Sequence, residues 1–189
     1  MTNTPKMIDT PLGNVSCLEA GTGTPLVLLH GIGSGAASWT AQIDAFSERF
    51  RVIAWDAPGY GRSDRVASDV PKTTDYAAHL AGLLDALDIT ACHLVGHSLG
   101  AIVACGFARA YPNNVTSLMI AAPAAGYGRA GIETQEEKRA GRMLLMNDLG
   151  PEGLARERHG HLLSEKAPQW ARDKVRGVMA RLHPEGYRQ

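Results

Sequence analysis

The chain has 189 residues, 44% apolar and 20% charged, which suits a single domain with its own core. Lysine plus arginine equals aspartate plus glutamate at 19 each, so no net field selects nucleic acid or an anionic membrane surface as partner. Cys17, Cys92 and Cys105 are too widely spaced for a disulfide framework or a zinc site, and no apolar run approaches membrane-spanning length.

No apolar segment stands behind a basic head among the first residues, so the chain is read as lacking a secretory signal and as cytoplasmic. Leu12-Gly13-Asn14 is a turn between short strands expected near 7–10 and 15–20. Residues 25–30 form a continuous apolar run ending at glycine, the pattern of a strand buried on both faces. Trp39, Ile43, Phe46 and Phe50 share one helical face, which predicts a helix over 39–50 with Ser38 as its N-cap. A strand at 51–55 then runs into the turn-rich segment Asp56-Ala57-Pro58-Gly59-Tyr60-Gly61-Arg62-Ser63. Asp56 reads there as a turn-stabilising carboxylate, and Arg62 and Asp64 as charges that order the loop.

Tyr76, Leu80, Leu83, Leu84 and Leu87 predict an amphipathic helix over 74–87. A strand beginning at Cys92 and a helix ending near Tyr111 flank Gly96-His97-Ser98-Leu99-Gly100, and a further strand is expected at 115–121. Strands alternating with helices imply an α/β fold with a mostly parallel sheet covered on both faces. After Pro123 the strand signals stop. Helical patterns cover 133–149, closed by Gly150 with Pro151 opening the next segment, then 153–163 and 169–182. The expected division is a core at 1–125 and a helical cap at 126–189. Pro184 suits the first turn of one more helix.

The stretch around Ser98 carries the chemistry. A serine on a sharp strand-to-helix turn lifts its hydroxyl out of the sheet, while the following N–H groups face the same space: a nucleophile elbow. Serine is a poor nucleophile without a base in hydrogen-bond reach and donors aimed at the developing oxyanion. The backbone N–H of Leu99 is one such donor. The loop His30-Gly31-Ile32-Gly33-Ser34-Gly35, also at the carboxyl end of a strand, is placed to supply a second.

Together, His30-Gly31-Ile32-Gly33, the segment from Asp56 to Ser63, and Gly96-His97-Ser98-Leu99-Gly100 resemble the α/β-hydrolase superfamily. The likeness is to its cap-bearing members, which include lactonases, esterases, carbon–carbon bond hydrolases and cofactor-free haloperoxidases. The resemblance implies hydrolysis of a small ester or lactone through an acyl-enzyme on Ser98. It implies backbone oxyanion donors at Ile32 and Leu99, with the choice between Ile32 and Gly33 left open. It also implies a substrate site including His30, Gly31, Gly33 and His97, a small molecule as the partner, and neither cofactor nor metal.

One departure matters. In most members of the superfamily the triad acid follows the strand after the cap, and the histidine follows the last strand. Neither strand is recognised here. The alternative acid position after 115–121 reads Ala121-Ala122-Pro123, with no carboxylate. The chain is therefore read as C-terminally truncated, without triad acid or histidine, with little or no turnover of its own and an exposed edge at 115–121. The alternatives kept open are another chemistry on the same fold (carbon–carbon hydrolysis or haloperoxidation) and a non-catalytic binding protein. Among the remaining residues, His93 reads as packed in the core, His79 as surface or satisfied core, and His159 and His161 as cap residues with a slight resemblance to a metal pair. Trp39, Trp55, Tyr60 and Tyr127 are candidate pocket walls, with core packing favoured for the two tryptophans.

Overall fold

A computed structural model describes residues 4–188. Six strands form one sheet: β1 (Lys6–Thr10), β2 (Gly13–Ala20), β3 (Pro25–Leu29), β4 (Arg51–Trp55), β5 (Cys92–His97) and β6 (Val115–Ala121). Their spatial order is β1-β2-β4-β3-β5-β6. The tight turn at Gly13, with φ +114°, makes β1 and β2 an antiparallel hairpin, and β2 runs antiparallel to β4. From β4 through β3 and β5 to β6 every pairing is parallel. The sheet is thus mostly parallel, as the alternating pattern predicts.

The run Pro-Leu-Val-Leu-Leu shows why β3 is central. Val27 and Leu29 point to one apolar cluster, together with Leu80, Leu84 and Phe107. Leu26 and Leu28 point to the other, with Ile43, Val52 and Ala54. A period of two with apolar residues on both faces leaves β3 no solvent side. The first cluster lies under α2 (Thr73–Ala86) and α3 (Leu99–Ala110), and the second under α1 (Thr40–Phe46).

The helix expected over 39–50 is shorter and begins differently. A 3-10 turn over Ala36–Trp39 leads into α1, which ends at Phe46. Ser38 is not the cap; its Oγ donates to the Gly35 carbonyl inside that turn at 2.7 Å. The start is set from outside the segment, because the Ala36 N–H donates to the buried Asp56 carboxylate at 2.8 Å. A tertiary hydrogen bond of this kind leaves no trace in apolar periodicity.

Helix α4 (Ile132–Arg158) breaks where glycine and proline meet: Gly150 has φ +61°, and Pro151 opens the second half. After it come α5 (Gln169–Met179) and the short α6 (Pro184–Arg188). Met146, Leu154, Ala155, Met179 and Leu182 join the same buried cluster as the sheet residues, so apolar packing is continuous from the sheet into these helices.

β6 forms one edge of the sheet, opposite β1. Leu118, Met119 and Ile120 are 39%, 61% and 38% exposed, unusual for consecutive apolar residues on a strand. His93 on β5 is consequently half-buried rather than core. It meets Ser117 Oγ of β6 at 2.7 Å, with its ring edge-on to Phe50. An unpaired apolar edge is a template for association, so the chain is expected to self-associate as concentration rises. Met119→Lys is expected to shift light scattering toward monomer; scattering that is independent of concentration would refute this.

Candidate active site

The end of β5 meets the start of α3 at Ser98, whose φ of +54° and ψ of −112° are strained for a non-glycine residue. The surroundings enforce this turn. The Ser98 N–H donates to the Ala121 carbonyl at 3.1 Å, and the Ser98 carbonyl accepts from the Ala101 and Ala124 N–H groups at 3.1 and 3.4 Å. Gly96 and Gly100 permit it, because a Cβ at either would overlap backbone atoms: Gly100 and Ala101 for the former, Leu29 and His30 for the latter. Among the described residues the Ser98 hydroxyl has no hydrogen-bond partner.

Ser98 opens onto a cavity of about 510 Å³. Gly31, Ile32 and Gly33 form one wall, so the loop after β3 and the serine turn do converge as the motifs imply. Their approach is close: a Cβ at Gly31 would lie 3.2 Å from Ser98 Cβ and 3.2 Å from His97 Nδ1. His97 lines the same cavity, edge-on to Trp39, and makes no hydrogen bond to Ser98. Leu99 does not line the cavity. It is the first residue of α3, where a backbone N–H has no partner within its own helix.

His30 is placed differently from a substrate-contacting residue. It is 2% exposed and absent from the cavity wall. Its Nδ1–H donates to the Gly31 carbonyl at 2.8 Å, and its Nε2 accepts the Ala57 N–H at 3.0 Å. With both ring nitrogens committed, the imidazole ties the Gly31 loop to the segment after β4. Asp56 has a similar role. It accepts Ser16 Oγ–H at 2.5 Å and the Ala36 N–H at 2.8 Å, and it stays away from Ser98. Asp64 orders the same loop by accepting the N–H and the side-chain amide of Asn14.

Burial lowers the pKa of His30 below its ordinary 6.5, and burial lowers that of His79 likewise. The folded chain resists protonation of both rings, whereas the unfolded chain takes up protons as pH falls through about 6.5. Their contribution to stability is therefore complete above that pH and is lost progressively below it. Denaturation midpoints are expected to be flat from pH 8 to 7 and to fall toward pH 5.5. His30→Gln, whose amide can make the same two bonds without titrating, is expected to lessen that fall. A slope identical in the two proteins would exclude His30 as a source.

The tertiary structure adds residues that no motif marks: Ser34, Ser38, Gln42, Ala121, Ala122, Leu162, Lys174, Val175 and Val178 also line the cavity. Of the aromatic candidates, Trp39 is a wall. Trp55 and Tyr60 are core, and Tyr127 lies outside under Arg142. His159 turns its Nδ1 to the carbonyls of Ala155 and Arg156. No cluster of three metal-ligating side chains occurs among the described residues. Burial pushes the Cys17 and Cys92 thiols up to about 12 and about 11, far from thiolate reactivity, and Cys105 is exposed.

Residues 24–147 match the alpha/beta hydrolase fold. A 2-hydroxy-6-oxononadienedioate/2-hydroxy-6-oxononatrienedioate hydrolase from Burkholderia vietnamiensis is 43% identical over 107 residues, covering 54% of this chain and 37% of its own length. A thermophilic esterase from Thermogutta terrifontis, solved with malate bound, is 27% identical with a TM-score of 0.84, over 98% of this chain and 70% of that one. A carboxylesterase structure from the ammonia-oxidizing thaumarchaeon Nitrososphaera gargenis is 25% identical with a TM-score of 0.79, over 96% of this chain and 69% of that one. The chain spans between 34% and 56% of the length of the curated relatives it matches.

Proposed function

The chain belongs to the alpha/beta hydrolase fold family, and from that premise we propose that Ser98 is the nucleophile of a site for hydrolysing a small ester or lactone. One observation carries this reading. The Ser98 hydroxyl sits on a strained turn, free of protein hydrogen bonds, at a cavity whose opposite wall is the Gly31–Gly33 loop. In the proposed sequence Ser98 Oγ attacks the acyl carbonyl, and the N–H groups of Ile32 and Leu99 stabilise the oxyanion. The alcohol leaves with a proton, and water then releases the acid. Gly31 and Gly33 keep the approach to Ser98 open. His97, and the helices after residue 126 acting as a cap, shape the acyl pocket. His30 acts as a positioning residue behind the loop.

The esterase likeness over nearly the whole chain supports ester chemistry. A second reading, hydrolysis of a carbon–carbon bond in a dienoate, is favoured by the 43% identity to the Burkholderia enzyme over 107 residues. A panel of aryl esters, lactones and ring-cleavage dienoates separates the two.

No imidazole or carboxylate bonds to Ser98 Oγ among the described residues, so acylation by these residues alone is expected to be slow. Added imidazole supplies a base. Incubation with an alkyl fluorophosphonate is expected to give one adduct, faster with imidazole, mapped to Ser98 by peptide mass spectrometry and absent in Ser98→Ala. An unmodified Ser98 in the folded chain, or an adduct elsewhere, overturns the proposal and favours a binding role.

A further inference from the structure

We propose that Lys174 is an anion-holding group of the Ser98 cavity, so that the site takes substrates bearing a carboxylate in addition to the reacting carbonyl. This rests on the reading of Ser98 given above and narrows the class of substrate.

The neighbouring charges Arg172 and Asp173 of α5 have partners of their own, and Arg176 is exposed to solvent. Arg172 donates to the carbonyls of Ser164, Glu165 and Ala167, and Asp173 accepts from the Gln169 side chain. Lys174 lies on the opposite side with Val175 and Val178, and all three line the cavity that Ser98 opens onto. It is half-buried. Its ammonium donates to Thr40 Oγ1 at 2.7 Å, a neutral partner. No carboxylate pairs with it among the described residues, and no aspartate or glutamate lines the cavity.

An ammonium has three donors. One is used, which leaves two for a ligand in a cavity otherwise walled by Ile32, Trp39, Leu162, Val175 and Val178 and by polar groups that include His97. In such partly dry surroundings an unneutralised cation attracts an anion more strongly than it would in water, and charge-assisted hydrogen bonds exceed neutral ones. A purely mechanical role, fastening α5 to α1, would need only the Thr40 bond and would show no preference for ligand charge.

The test compares monomethyl adipate with dimethyl adipate, matched in chain length and differing in one charge, by titration calorimetry on the 189-residue chain. The monoanion is expected to bind about 10-fold tighter or more, the scale of one charge-assisted hydrogen bond. Lys174→Met is expected to abolish that preference and Lys174→Arg to retain it, with thermal melts confirming that both fold. Equal affinities in the unmodified chain overturn the proposal without recourse to any variant, as does a preference that survives Lys174→Met. Fluorophosphonate labelling is scored on the same samples. Labelled Ser98 with no charge preference removes only the role of Lys174, whereas a preference with unlabelled Ser98 removes only the nucleophile.

Discussion

Gly100→Ala is expected to destabilise the chain by about 3 kcal/mol or more, enough to leave much of it unfolded. Helix propensity alone gives the opposite sign, since alanine is favoured over glycine inside a helix by about 1 kcal/mol. Packing decides the outcome. A methyl group at position 100 would overlap the Leu29 and His30 carbonyls, which are backbone atoms with no rotamer to change. Relief requires α3 to lift from the end of β3, which would open the core around Val27 and Phe107. Gly141→Ala on α4 is the matched control. Its new methyl group meets nothing within 4 Å, so it is expected to stabilise by up to about 1 kcal/mol. Denaturant midpoints for the two variants check both signs. A folded Gly100→Ala with an unchanged midpoint would mean that α3 does not rest on β3 as closely as described.

Gly31→Val is expected to spare the fold and abolish the site. Gly31 has no left-handed φ, so its backbone accepts a side chain, and the nearest neighbours of a new Cβ are side-chain atoms of Ser98 and His97. The overpacking cost is about 1–3 kcal/mol. The branched methyl groups would stand in front of the Ser98 hydroxyl, where the acyl carbon must arrive. Displacement of a reacting centre by about 1 Å costs on the order of 100-fold, and outright occupation of its place costs at least that. Imidazole-assisted labelling of Ser98 is expected to fall by about 100-fold or more while a cooperative melt persists. Labelling at the original rate would show that the Gly31 loop does not face Ser98.

The strands and the serine turn were legible in the sequence because their causes are local. The continuous run at β3 states that both faces are dry. Gly150-Pro151 ends one helical segment and starts another through backbone chemistry alone. Glycines on either side of Ser98 mark a turn that no side chain would permit. The 3-10 turn before α1 was not legible, because the carboxylate that sets its start belongs to Asp56, beyond the next strand. Nor was the setting of His93, since apolar neighbours in sequence say nothing about which strand lies at the edge of the sheet.

The order of residues by itself determined a mostly parallel sheet, a serine at a strand-to-helix turn and a glycine loop at the end of a neighbouring strand. Each follows from periodicity or from the φ and ψ values open to a single residue. Only the tertiary structure decided what surrounds that serine. It committed both nitrogens of His30 to backbone groups, withdrew Asp56 into a loop, and brought Lys174 and Val178 from a distant helix to the wall of the cavity. Such neighbours are made by packing of elements far apart along the chain, and a pattern confined to one element carries no record of the surface it will meet.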